Sequence, residues 1–195
     1  MHKFLLVWWS VISMTAMTYA QQKQNMDSMQ TNHKILVAYF SATGTTARIA
    51  EKLANVTGGE LYAITPVESY TKADLDWRNK RSRSLVEVND PQSRPAIKGQ
   101  KENIADYDVI FIGYPIWWNL APRVINTFLE SLDLKGKTVI PFATSGSSSI
   151  SNSAETLRTS YPALHWKEGC LLNQANEETI RKWIDKLGIE PFGKI

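Results

Sequence analysis

The chain has 195 residues, 43% of them hydrophobic, and a formal net charge of +3. Its length and composition predict one globular domain with a sizeable core. The small charge gives no support for nucleic-acid binding, which usually requires a concentrated basic face. The single cysteine, Cys170, excludes an internal disulfide. It lies in an apolar stretch, which favours a buried thiol over a redox role.

The first 20 residues have the pattern of a secretory signal peptide. Lys3 gives a basic start, residues 4–17 are mostly apolar, and Ala20 is a small residue at the expected cleavage point. The apolar run is shorter than the roughly 20 residues that span a bilayer, which favours cleavage over an uncleaved anchor. We therefore predict an exported, periplasmic protein. Its parts are a signal peptide at 1–20, a flexible lead-in at 21–32 and a folded domain at 33–195.

Strand and helix patterns alternate along the folded part. Apolar runs predict strands at 35–40, 60–64, 107–113, 137–143 and 164–172. Helical spacing predicts helices at 45–55, after Pro122, at 153–160 and at 177–187, the last with Asn176 as its N-cap and Gly188 as its stop. This alternation predicts a parallel sheet with helices on both faces, a three-layer, doubly wound α/β sandwich with five strands.

Residues 66–103 are harder to interpret. A helix at 71–88 is possible, with Tyr70 and Trp77 as anchors. The segment also carries a basic cluster, Arg78, Lys80, Arg81 and Arg83. A solvated face explains such a cluster, and docking of an anionic partner or a phosphate group is the alternative.

Three unusual loops follow predicted strands, at 41–46, 114–119 and 144–149. In an open parallel sheet, ligands bind beyond the carboxyl ends of the strands, so we expect these loops to form one pocket. The first loop combines a helix N-terminus, Gly44 and four hydroxyl residues, a donor set suited to a phosphate group. It lacks lysine and arginine, which favours holding a phosphate monoester by neutral donors over phosphoryl transfer. A plain N-cap is the alternative.

The other two loops suit a flat ring. Trp117 and Trp118 can stack on such a ring, or one or both can pack in the core. The serine- and glycine-rich third loop offers backbone donors and acceptors to a polar ring edge, or is a mobile linker.

The P-loop, dinucleotide and nucleophile-elbow motifs are all missing from the sequence, and the histidines have no metal-site spacing. We therefore predict no metal site and no catalytic triad.

With these three loops, the chain resembles the flavodoxin family, and the resemblance covers residues 33–188. The run Ser-Ala-Thr-Gly-Thr-Thr at 41–46 is similar to the family's phosphate loop for flavin mononucleotide (FMN). Tyr-Pro-Ile-Trp-Trp at 114–118 resembles the ring loop of a short-chain bacterial flavodoxin-like subgroup, and Thr-Ser-Gly-Ser at 144–147 lies where the family's third flavin loop lies.

The resemblance implies an FMN site made from all three loops. Its phosphate loop would comprise Ser41, Ala42, Thr43, Gly44, Thr45 and Thr46. Its ring loop would comprise Pro115, Ile116, Trp117, Trp118 and Asn119. The edge of the ring would meet Thr144, Ser145, Gly146 and Ser147.

The implied function is electron transfer through FMN to a redox partner protein or a small electron acceptor. The resemblance implies that this function would need no catalytic acid–base residue. Two alternatives use the same fold, an FMN-dependent reductase of quinones that uses NAD(P)H and a cofactor-free binding module. The chain differs from many flavodoxins in three respects. Flavodoxins are typically cytosolic, whereas this chain is predicted to be exported. It remains slightly basic after loss of Lys3 with the signal peptide, and its third loop lacks the aromatic residue that many flavodoxins place against the flavin.

Overall fold

One parallel sheet organises residues 33–189, the part of the chain that this computed structural model describes. The predicted signal peptide and lead-in lie outside the described residues. The strands are β1 (Ile35–Tyr39), β2 (Glu60–Ala63), β3 (Val109–Pro115), β4 (Thr138–Thr144), β5 (His165–Trp166) and β6 (Cys170–Leu171). Their order is β2-β1-β3-β4-β5, with β6 also paired to β4, and every pair is parallel. The predicted five-stranded parallel sheet is confirmed.

The fifth strand position is divided into β5 and β6. The carbonyl oxygens of Val139 and Ala143 accept hydrogen bonds from the N–H groups of Lys167 and Leu172. Pro141 lies between these two acceptors and has no N–H group to offer the same edge. A Cβ atom on the facing Gly169 would also lie only 2.7 Å from the Pro141 carbonyl oxygen. The pairing is therefore interrupted at Pro141 and resumes at Phe142, which pairs with Cys170.

Helices cover both faces of the sheet, as predicted. They are α1 (Thr45–Thr57), α2 (Arg83–Asn89), α3 (Arg123–Glu130), α4 (Ser151–Ser160) and α5 (Glu177–Leu187). One core joins α1 and α5 to the sheet through Leu53 and Ile184, and the other joins α3 and α4 through Phe128 and Leu157. None of the helices in the described part of the chain has both the length and the apolar composition of a membrane span.

The predicted helix at 71–88 is wrong over most of its length, and only Arg83–Asn89 is helical. Side chains in the first half bind nearby backbone N–H groups and hold turns instead. The carboxylates of Asp74 and Asp76 accept from the N–H groups of Thr71 and Arg78, at 2.8 and 3.0 Å. Such local bonds compete with helix formation, and propensity along the sequence does not reveal them.

Candidate functional site

The three loops meet at the carboxyl edge of the sheet, where the strand order reverses. β1 lies between β2 and β3, so the chain leaves β1 toward one side and returns on the other. A crevice opens at such a point between the loops that follow the two strands. Here a cleft of about 780 Å³ lies between the first loop and the loops after β3, β4 and β6.

Most of the predicted site residues line this cleft or an adjoining one. The main cleft is lined by Thr43, Thr45, Pro115, Ile116, Trp117, Thr144, Ser145 and Gly146. An adjoining cleft of about 630 Å³ shares several of these residues and adds Trp118, Asn119 and Ser147. Ser41, Ala42 and Gly44 instead line a smaller cleft of about 260 Å³ beside the first loop. Thr46 lines none of the three, because its side chain points inward.

The first loop presents unbonded backbone N–H groups. Gly44 has a φ of 86°, a left-handed conformation that glycine adopts without strain, and its own N–H donates to Ser41 Oγ at 3.1 Å. The first helical hydrogen bond runs from the Arg48 N–H to the Gly44 carbonyl at 3.2 Å. The N–H groups of residues 45–47 therefore have no acceptor within the helix. They form the positive end of α1, which favours an anion.

A buried hydroxyl pair joins the first loop to the third. Thr46 Oγ1 and Thr144 Oγ1 are 2.9 Å apart, and the two residues are 1% and 3% exposed. The Thr144 carbonyl also accepts the Ile116 N–H at 2.8 Å, which connects the second loop. Thr46 and Thr144 thus hold the loops together from below, and a ligand role for the Thr46 hydroxyl stays a prediction.

Two cations that the loop sequence does not show also line the cleft. Arg48 and Lys52 lie one and two turns into α1. Arg48 Nη2 is 3.4 Å from Thr45 Oγ1, and its Nη1 would lie 3.6 Å from a Cβ atom on Gly44. The expectation of neutral donors alone is therefore corrected, because the guanidinium lies beside the loop. The sequence could have indicated both cations, because Arg48 lies three residues after Thr45 and Lys52 four residues after Arg48. Residues at these spacings share one face of a helix.

The two tryptophans of the second loop have different surroundings. The Trp117 ring packs edge-on against Tyr70 and Phe40, with centroid distances of 5.0 and 5.6 Å, and lines both clefts. Trp118 is 37% exposed and lines only the adjoining cleft. Trp118 and Asn119 have φ values of 46° and 65°, as in the middle of a type I′ turn, which Trp117 and Leu120 close with two 2.9 Å bonds. Strained positions of this kind concentrate at functional sites.

The third loop is a hydrogen-bonded turn rather than an unsupported linker. Ser145 Oγ accepts from the N–H groups of Ser147 and Ser148, at 3.2 and 2.8 Å. The Ser145 N–H donates to Asn173 Oδ1 at 2.7 Å. Asn173 and Gln174 also line the main cleft, although they are not among the predicted site residues. They directly follow the predicted last strand, so the end of that strand would have indicated them.

The segment at 66–103, for which the sequence predicts no site residue, supports the second loop. Tyr70 donates a hydrogen bond to Glu87, whose carboxylate also accepts from Arg83 Nε at 2.6 Å. The Arg83 guanidinium lies 4.2 Å from the centre of the Tyr70 ring. Burial and the bond to Glu87 raise the pKa of Tyr70 far above its usual value, so the phenol keeps its proton. Because Trp117 packs on this fixed ring, a residue of the segment positions a wall of the cleft.

The same segment places Trp77 at the mouth of the adjoining cleft. The indole is 69% exposed, and the Arg78 guanidinium lies 5.0 Å from its centre. Trp77 and Trp118 line this cleft together with Leu75 and Ser84. The structure thus brings an aromatic residue to the site from a segment in which no site residue was predicted.

Comparison with known proteins identifies close relatives of this arrangement. A family model described as flavodoxin matches residues 34–187. The crystal structure of a candidate flavoprotein from Bacteroides eggerthii is 67% identical, with a TM-score of 0.80, and the match covers 82% of this chain and all of that one. A candidate flavoprotein from Bacteroides uniformis is 59% identical, with a TM-score of 0.77, over 79% of this chain and 99% of its own.

A more distant relative shares the fold. The flavoprotein of Lactobacillus acidophilus, solved in complex with FMN, is 22% identical, with a TM-score of 0.64. The match covers 77% of this chain and 98% of that one. A search of the curated proteins gave no match.

Proposed function

The chain belongs to the flavodoxin family, and from that premise we propose that it binds FMN in the cleft and carries electrons through it. FMN supplies the redox chemistry, because its ring accepts and returns electrons. Family membership and the FMN complex of the Lactobacillus acidophilus relative both support this cofactor. The protein's contribution is to bind the phosphate, to hold the ring and to set its surroundings.

The observation that carries the proposal is the anion site at the start of α1. Three N–H groups without helical acceptors, the hydroxyls of Thr43 and Thr45 and the guanidinium of Arg48 all lie at this end of the cleft. This set fits a phosphate monoester in both charge and donor chemistry. Among the residues that line the main cleft, none is an aspartate, a glutamate or a histidine, so no carboxylate there repels the phosphate.

The other two loops fit a flat, polar-edged ring. Trp117 and Trp118 offer indole faces or edges, and the third loop offers backbone groups around Ser145 and Gly146. Since Trp117 is fixed by Tyr70 and Phe40, its contact with a ring requires little further ordering of the side chain. Electron exchange through the flavin needs no acid–base residue from the chain.

We propose further that the protein is exported, with residues 1–20 as a cleaved signal peptide. The support is the pattern of those residues, a basic start, an apolar run and a small residue before the cleavage point. Cell fractionation of the source organism, with N-terminal sequencing of the purified protein, tests this. An N-terminus at Gln21 in the periplasmic fraction is expected, and an intact N-terminus in the cytoplasm would contradict it.

A titration of FMN tests the proposed function. The protein is added to FMN while flavin fluorescence is followed, and we expect quenching at micromolar protein because an indole contacts the ring. Unchanged fluorescence together with no heat of binding would reject the proposal and favour a cofactor-free module. Steady oxidation of NADH or NADPH by the loaded protein and a quinone, without a partner reductase, would favour the reductase over the carrier.

A further inference from the structure

The mouth of the adjoining cleft has the composition of an interaction surface. Trp77 and Trp118 are the only aromatic residues among the large exposed hydrophobic residues of the described chain, and both line this cleft. Arg78 stacks on Trp77. Tryptophan and arginine are the residues most enriched at the energetic centres of protein interfaces. An indole kept in solvent, with a guanidinium beside it, is therefore a natural anchor for a partner.

The side chains around Trp77 carry positive charge that no ion pair within residues 33–189 neutralises. Arg78, Lys80 and Arg81 are exposed, and within residues 33–189 no ion pair joins any of the three to a carboxylate. Arg83, the fourth member of the basic cluster, differs because it pairs with Glu87 at 2.6 Å.

The carboxylates nearest in sequence reduce this positive charge without cancelling it. Asp74 accepts from Thr71 and Asp76 from the Arg78 N–H, so both are bonded within the turns. Residues 72–81 carry four cations, Lys72, Arg78, Lys80 and Arg81, against these two carboxylates. The segment therefore keeps a local excess of positive charge.

We infer that Trp77, Arg78, Lys80, Arg81 and Trp118, the mouth patch, dock a redox protein that has an acidic face around its own cofactor. This inference rests on the proposed function, since the patch borders the cleft in which we place the flavin ring. Charge complementarity selects an acidic partner and steers its approach, while the two indoles supply the contact. Docking here would bring the partner's cofactor to the open side of the flavin cleft.

Two haem proteins of opposite charge serve as probes. The full chain is loaded with FMN and reduced with light, with EDTA as the sacrificial electron donor. The reduction of cytochrome b5, which is acidic, or cytochrome c, which is basic, is then followed by stopped flow. We expect the bimolecular rate constant with cytochrome b5 to fall about tenfold as salt rises from about 20 to 200 mM, because screening removes the steering. The rate constant with cytochrome c should not fall.

A charge-matched pair of variants locates the effect. The patch variant carries Arg78→Gln, Lys80→Gln and Arg81→Gln, and the control carries Lys135→Gln, Arg158→Gln and Lys182→Gln, three exposed cations outside the patch. At low salt the patch variant should reduce cytochrome b5 about tenfold more slowly than the control. Equal rate constants in the two variants would overturn the inference, and so would an effect seen with ferricyanide, a small anion, but not with cytochrome b5.

The experiment separates this inference from the proposed function. Failure of the protein to bind FMN, seen before any cytochrome is added, would reject the proposed function. A different result would reject only the docking surface. In that case FMN binding and photoreduction are normal, but the rate constant for cytochrome b5 reduction changes neither with salt nor in the patch variant.

Discussion

The phosphate end of the main cleft is formed by the first turn of α1 and bordered by Ser41 and Gly44, all from one short stretch of chain. At the mouth, Trp118 follows β3, and Trp77 comes from the long segment after β2. The first end is made of backbone N–H groups whose positions follow from a strand, a glycine and a helix start. The second depends on contacts between residues far apart, such as Trp117 on Tyr70. We therefore expect that FMN binding and the proposed partner choice can be changed separately in this protein.

The largest effect should come from Gly44→Ala. Alanine in a left-handed conformation costs about 1–2 kcal/mol, and relaxation of that strain would turn the N–H groups away from the phosphate. FMN should bind about tenfold to a hundredfold more weakly, which corresponds to the loss of one hydrogen bond to a charged group. Gly136→Ala is the matched control, since Gly136 has a φ of 76° with open space around it. It should lose similar stability and bind FMN normally, and a similar loss of FMN affinity would contradict the account.

The buried pair beneath the phosphate end gives the next largest effect. Thr46→Val leaves the Thr144 hydroxyl buried without its partner and should lower the free energy of unfolding by about 1–3 kcal/mol. The double variant Thr46→Val/Thr144→Val removes both hydroxyls and should recover most of that loss. Urea unfolding of the two single variants and the double variant measures this coupling. Additive losses would show that the pair does not join the loops.

Arg48→Gln distinguishes the phosphate end of the cleft from the ring end, because its effect on FMN binding can be compared with its effect on riboflavin binding. The guanidinium should contribute about tenfold to the affinity for FMN, because a surface bond to a dianion is partly screened. Riboflavin, which has the ring without the phosphate, should bind the variant as it binds the parent protein. Arg158→Gln, on α4, serves as the control. An equal loss for both ligands would place Arg48 at the ring rather than at the phosphate.

Trp118→Asn acts at the mouth and should have the smallest effect. Asparagine tolerates a positive φ better than tryptophan does, so the melting temperature should stay unchanged or rise slightly. FMN affinity should fall about threefold, because one indole contact is lost while the phosphate end is intact. Affinity from fluorescence titration and the melting temperature are measured on the same sample. A fall in stability with unchanged affinity would make Trp118 a structural residue only.

The sequence predicts the phosphate end better than the mouth for physical reasons. Strand runs, the glycine and the helix start are local patterns, and the order of elements brings the loops to one edge. Arg48 could also have been predicted, because it lies one helical turn after Thr45 and so on the same face of α1. Trp77 could not be placed, because Asp74 and Asp76 break the expected helix through side-chain bonds to the backbone. The Thr46–Thr144 bond joins residues 98 positions apart, and local patterns carry no information about such pairs.

The most direct test of the central claim is ³¹P NMR of FMN bound to the full chain, followed over pH. Free phosphate monoesters take up a proton near a pH of about 6, which changes the ³¹P shift. We propose that N–H groups of α1 and the Arg48 guanidinium bind the dianion, and such binding should lower the pKa of the phosphate. We expect the ³¹P shift of bound FMN to stay constant from about pH 8 to about pH 5.5. A bound phosphate that titrates like free FMN would contradict it.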